Sequence, residues 1–167
     1  MNYHNITHND MLNGEGLRVV LWVAGCSHHC KNCQNPETWD PDGGIKFDDK
    51  AFNEIINELD HDYISGLTLS GGDPLHSNNI EEVTRICRIV KDHYPDKDIW
   101  LYTGYIYETL CSLDLDILKY IDVLVDGEFV ESLKDIDLEW KGSSNQRVID
   151  VQKSKPGSVV IYKNKIQ

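Results

Sequence analysis

The chain has 167 residues, 40% of them hydrophobic and 26% charged, and a formal net charge of -12 at pH 7. Against a prior of roughly 150 residues per domain it reads as a single domain over 1–167, large enough to bury a core without disulfide staples. So acidic a surface repels phosphates, which excludes a general nucleic-acid binder, and no apolar run approaches the roughly 20 residues needed to cross a membrane.

Met1 to Asp10 is polar and lacks the basic start and apolar core of a signal peptide, so a cytoplasmic location is expected. There, the five cysteines are free thiols or metal ligands rather than disulfides. Leu17 to Val23 is short, apolar and β-branched, and predicts a buried strand running into a cysteine cluster. Asp49 to Leu59 predicts a helix: Phe52, Ile55, Ile56 and Leu59 share one face, and Asp48 or Asp49 can cap it. Gly66 to Ser70 is a second strand, ended by Gly71-Gly72-Asp73-Pro74.

Asn79 to His93 is a helix with Ile80, Val83, Ile86, Cys87 and Val90 on one side, stopped at Tyr94-Pro95. Ile99 to Thr103 is a third strand and Val123 to Val125 a fourth; short helices are expected over Tyr107 to Leu113 and Asp116 to Ile121. Arg147 to Val151 and Val159 to Tyr162 are strand candidates flanking a turn at Lys155-Pro156-Gly157. Strands alternating with helices imply right-handed βαβ units and a parallel sheet. A closed (β/α)8 barrel needs about 250 residues, so the expected fold is a short, incomplete, open β/α barrel of mostly parallel strands. Ligands should gather at its strand C-terminal ends, where each motif below falls.

Cys26, Cys30 and Cys33 bring three thiolates within a few residues, the ligand type that selects zinc, copper(I) or iron-sulfur clusters. A closed zinc site needs a fourth ligand, which His28 or His29 could supply. No second pair of ligands follows, and Cys87 and Cys111 lie among apolar residues as small core side chains. Ser70-Gly71-Gly72-Asp73-Pro74 is either an ordinary βα turn or a place where the backbone can approach a ligand closely, with Asp73 accepting from an ammonium group. Asp126 ends the fourth strand either as a helix cap or as a site carboxylate. Gly142 to Arg147 is dense in hydrogen-bonding side chains, as a polar surface loop or a nucleoside site would be. Tyr102 and Tyr105 read as packing residues. His4, His8, His61, His76 and His93 fall in no constellation and are expected to be solvated, and no convincing His–carboxylate pair is visible.

The spacing Cys-x3-Cys-x2-Cys resembles the signature of the radical S-adenosylmethionine superfamily, and the turn at Gly71-Gly72-Asp73-Pro74 resembles its Gly-Gly-Glu-Pro motif. Two departures stand out: Asn32 replaces the usual aromatic before the third cysteine, and Asp73 replaces Glu. Gly14 to Arg18, Asn35-Pro36-Glu37, Tyr102 to Tyr105, Asp122 to Phe129 and Gly142 to Asp150 further resemble the activating proteins of anaerobic, class III, ribonucleotide reductases. The resemblance implies a [4Fe-4S] cluster on Cys26, Cys30 and Cys33, with S-adenosylmethionine chelated by the remaining iron. It implies cofactor contacts at Asn32, Cys33, Gln34, Ser70, Gly71, Gly72, Asp73, Pro74, Thr103, Asp126 and Asn145. It further implies reductive cleavage to methionine and a 5'-deoxyadenosyl radical, which takes hydrogen from a glycine of the large reductase subunit. The electron would come from a donor such as flavodoxin, and no catalytic side chain is implied beyond the cluster and cofactor. Activation of another glycyl radical enzyme, or a non-catalytic zinc or iron-sulfur module, are the alternatives.

Overall fold

The computed structural model describes residues 1–165. In chain order the elements are β1 (Asn2–Asp10), β2 (Arg18–Val23), β3 (Ile45–Lys46), α1 (Asp49–Leu59), β4 (Gly66–Gly71), α2 (Ile80–His93), β5 (Asp98–Tyr102), α3 (Tyr107–Ser112), β6 (Val123–Asp126) and β7 (Arg147–Asp150). Single 3-10 turns occupy Pro36–Thr38, Asp116–Lys119 and Glu131–Leu133. The strands form one open mixed sheet in the order β3-β1-β2-β4-β5-β6-β7. Its four central strands, β2, β4, β5 and β6, are parallel neighbours, while β1, β3 and β7 pair antiparallel. The fold class is therefore α/β with a parallel centre, as expected, and with antiparallel flanks that the strand–helix alternation did not announce.

Both faces of the sheet centre are apolar, which is why its strands read as continuous hydrophobic runs. Val19, Leu21 and Val23 of β2, Ile99 and Leu101 of β5 and Leu124 of β6 join a large core with Ile55 and Leu59 of α1 and Val83, Ile86, Cys87 and Val90 of α2. The alternate residues Trp100, Val123, Val125 and Val148 form a second cluster with Tyr162 on the other face. Helix α1 starts where Asp48 Oδ1 accepts the Ala51 N–H at 2.9 Å. Helix α2 carries Glu81 and Glu82 in its first turn and Lys91 and His93 in its last, which suits its dipole. Arg18, fully buried, pairs with Asp98 at 2.7 Å and lies 5.4 Å from the Trp100 ring centroid.

Two expectations need correction, at Val159 to Tyr162 and at Asp116 to Ile121, while others hold or are extended. The polar N-terminal segment is strand β1, a near-edge strand whose hydrogen bonds run to β2 and, for two residues only, to β3. Val159 to Tyr162 forms no strand and contributes one isolated bridge, Ile149 to Ile161. The expected helix at Asp116 to Ile121 is a 3-10 turn over Asp116–Lys119. Cys87 is completely buried in the core, and burial pushes its thiol far above the ordinary range. No helix of the described residues is long and apolar enough to cross a membrane.

Candidate functional site

Parallel β2, β4, β5 and β6 deliver their C-terminal ends to one edge of the sheet, and four connections meet there. The connection after β2 carries the cysteines. Its base is closed by backbone bonds from Gly25 N to Thr38 O at 2.7 Å and from Cys26 N to Trp39 O at 3.1 Å. Cys26, Cys30 and Cys33 line one cleft together with Ser70, Gly71, Gly72 and Asp73 after β4, Thr103 and Gly104 after β5, and Gly127 to Phe129 after β6. Trp39, Tyr102 and Val125 add apolar wall.

The cysteine loop is sewn to the glycine turn. Asp73 N donates to Gly25 O at 2.7 Å, and the buried Asn79 side chain donates to Ala24 O and Asp73 O. A Cβ on Gly72 would collide with the Gly25 carbonyl oxygen and stand 2.8 Å from that of Thr38. The room left by this missing side chain is thus filled by the backbone flanking the cysteine loop.

His28, on the connection after β2, reaches the other three. Its Nε2 lies 2.8 Å from Asp73 Oδ2 and its Nδ1 2.8 Å from Glu128 Oε1. The ring packs edge-on against Tyr105, with centroids 4.6 Å apart, and only glycine fits beneath it at Gly104, where a Cβ would come within 2.5 Å. The hydrogen bond to Asp73 raises the His28 pKa; burial opposes it and Glu128 adds to it. This corrects the expectation that no His–carboxylate pair exists. The partners lie 45 and 100 residues from His28, so no local spacing could reveal them.

Of the cofactor positions expected from sequence, Cys33, Ser70, Gly71, Gly72, Asp73 and Thr103 meet in the cleft with the other two cysteines. The rest lie apart from it. Asn32 is exposed and bonds to Glu131; Gln34 is exposed; Pro74 is buried beneath the turn. Asn145 is exposed and donates to Glu128 O at 2.8 Å. Asp126 is buried, accepts the first N–H of α3 from Tyr107 at 2.8 Å, and pairs with Arg147 at 2.5 Å. Asp126 therefore anchors a helix, the other role open to it. Trp39, Glu128 and Phe129 line the cleft without having been singled out as site residues, while Gln146 belongs to the polar run Gly142 to Arg147. Of the histidines expected to be solvated, His8 bonds Glu54 at 2.8 Å and His76 accepts from Asn78 N at 3.1 Å, both at the surface.

These residues fit an iron-sulfur cluster better than zinc. Thiolates at about 2.3 Å from a single zinc must sit within about 4 Å of each other. Among the described residues no group of three His, Cys, Asp or Glu side chains could hold one metal ion. Both candidates for a fourth zinc ligand are occupied, His28 by two carboxylates and His29 by stacking on Trp39 with centroids 4.5 Å apart. Burial raises the Cys26 and Cys30 thiols, so loading a metal centre releases protons. The cleft also fits a polar cofactor. The buried Trp39 Nε1, on a lining residue, has no hydrogen-bond partner, and such a group costs about 1–3 kcal/mol if left unmet.

Residues 12–149 match the family described as a 4Fe-4S single cluster domain. The chain is 47% identical over 148 residues to the anaerobic ribonucleoside-triphosphate reductase-activating protein of Haemophilus influenzae, covering 87% of this chain and 96% of that one. The chain belongs to this family of reductase-activating proteins. Another relative, from Enterobacteria phage T4, carries the same name and is 45% identical over 148 residues, with 89% and 93% of the two chains covered. The activating protein of Escherichia coli K12 is 43% identical over 150 residues, covering 89% and 97%. In this reductase-activating protein family member, the matched 4Fe-4S region takes in all three cysteines and every strand from β2 to β6, with its end inside β7.

Proposed function

We propose that this chain activates the large subunit of an anaerobic ribonucleoside-triphosphate reductase, with a [4Fe-4S] cluster and S-adenosylmethionine as its cofactors. The observation that carries this is the convergence of Cys26, Cys30 and Cys33 with the β4 turn in one cleft, in a chain 43–47% identical to named activating proteins over most of its length. Bound there, the cluster and S-adenosylmethionine supply a one-electron carbon–sulfur cleavage and the organic radical that takes hydrogen from a glycine of the partner. The open α/β sheet is read as the incomplete barrel of the radical S-adenosylmethionine type, acting as one domain over 1–167 in the cytoplasm, with flavodoxin or a similar protein as electron donor.

The roles of the chain's own residues follow from their positions. Three thiolates leave one iron of a cubane without a protein ligand, as a catalytic centre requires. Trp39, Tyr102, Val125 and Phe129 supply the cleft's apolar wall, and Trp39 Nε1 offers a donor to the cofactor. No side chain need move a proton, because the reaction proceeds by electron and hydrogen-atom transfer. The test is anaerobic reconstitution. About four irons and four sulfides per chain, with S-adenosylmethionine cleaved to methionine and 5'-deoxyadenosine under reductant, support the reading. One zinc per chain and no cleavage would overturn it.

A further inference from the structure

We propose that His28 is a positioning residue that fixes the cluster-bearing loop against the cofactor side of the cleft, by bridging Asp73 and Glu128. The inference rests on the function proposed above. Its ground is the place of one ring. His28 stands midway between Cys26 and Cys30, its side chain only 9% exposed, and each nitrogen lies 2.8 Å from a carboxylate on a different connection. The ring is held on a third side by Tyr105 and lies over Gly104. Two cysteines of the loop are thus referred to the β4, β5 and β6 ends through a single side chain.

Asp73 shows that the bridge is built into the site. Its carboxylate is 2% exposed and takes four donors from the chain: Leu75 N at 2.9 Å, the Thr103 hydroxyl at 3.0 Å, Gly104 N at 3.0 Å and His28. A carboxylate offers about four lone-pair positions, so Asp73 is filled by these contacts. It serves as an internal anchor, and a cofactor ammonium group must find its acceptors elsewhere, on backbone carbonyls of the turn. Glu128 is the outer anchor, half exposed at the mouth, and its carbonyl is held by Asn145. Charge-assisted bonds of this kind are among the stronger hydrogen bonds in proteins, and the Asp73 half of the bridge is shielded from water.

The test uses the reconstituted, reduced protein and three readouts: iron content, the dissociation constant for S-adenosylmethionine, and the change that S-adenosylmethionine causes in the cluster's electron paramagnetic resonance signal. His28→Ala should keep about four irons per chain, weaken S-adenosylmethionine binding about tenfold or more, and blunt the spectral change. His28→Gln, whose amide can reach Asp73, should recover most of both. A merely structural histidine would not move the spectrum at constant iron content. Full iron with wild-type affinity and a wild-type spectral change in His28→Ala overturns the proposal. If His28→Ala fails to hold iron, Glu128→Ala decides, since it cuts the bridge and leaves the loop sequence intact. Weakened S-adenosylmethionine binding at full iron supports the bridge; unchanged binding, or loss of iron there too, overturns it. A wild-type protein that takes up no cluster or binds no S-adenosylmethionine would instead refute the proposed function itself.

Discussion

At the scale of single residues, the cysteine cluster was legible because its members are close in sequence and need no fold to be seen together. Asn32, the departure from the superfamily pattern, has a local reason: its backbone sits at φ 55°, in the left-handed region that asparagine tolerates better than most side chains. What was illegible were pairs made by the fold, such as His28 with Glu128 or Arg18 with Asp98. We predict that Ala at Cys26, Cys30 or Cys33 abolishes S-adenosylmethionine cleavage, whereas Ala at Cys87 or Cys111 leaves it intact; iron content and product analysis check this. Loss of the cluster on changing Cys87 would contradict the ligand assignment. Arg18→Ala leaves the Asp98 carboxylate without its buried guanidinium and should lower stability by about 3–5 kcal/mol in denaturant melts. A loss below about 1 kcal/mol would show that the pair carries little of the fold.

At the scale of elements, α1 and α2 were legible because each buries one clear stripe at helical spacing. Strand β1 was not, because its side chains are mostly polar and half exposed and its register shifts twice. Strand β3 has two residues, too few to leave a pattern. The glycine turn is legible in the sequence, whereas what packs on its Cβ side is not. Read from sequence, Gly72 makes room for a ligand; in the fold it makes room for Gly25 and Thr38. Gly72→Val should therefore lower iron retention as well as S-adenosylmethionine binding, and a variant with normal iron would restore the simpler account. Arg147 ties β7 to α3 through Glu108 at 2.7 Å, and this bond lowers the Glu108 pKa. A carboxyl depressed on folding stabilises above its unfolded pKa of about 4.3, and that contribution is lost as pH falls through the folded value. Since Glu108 is substantially exposed, Glu108→Gln should cost under about 1 kcal/mol at pH 7, and the difference from wild type should shrink as pH falls below about 4.3 and vanish once it passes the lowered folded value. A gap that persists in acid would assign the effect to packing instead.

At the scale of the molecule, alternating strands and helices gave the α/β class, and length argued against a closed barrel. The sheet is open, ending at β3 and β7, with its parallel centre presenting the cysteine loop and the glycine turn at one edge. The antiparallel flanks are not legible in the sequence because β1 precedes the first recognisable strand, and β7, itself a strand candidate, follows a long irregular connection that does not fix its direction. An open site suits a substrate that is a segment of another protein. The central claim is that the radical made here ends on a partner's glycine. The direct measurement is electron paramagnetic resonance after anaerobic mixing of the reconstituted chain with reductant, S-adenosylmethionine and the large reductase subunit. The account predicts a stable glycyl doublet on the reductase, absent when its C-terminal glycine is changed to Ala and absent with Cys30→Ala of this chain. Deoxyadenosine released freely with no radical on the reductase, where a known activating protein produces one, would contradict it.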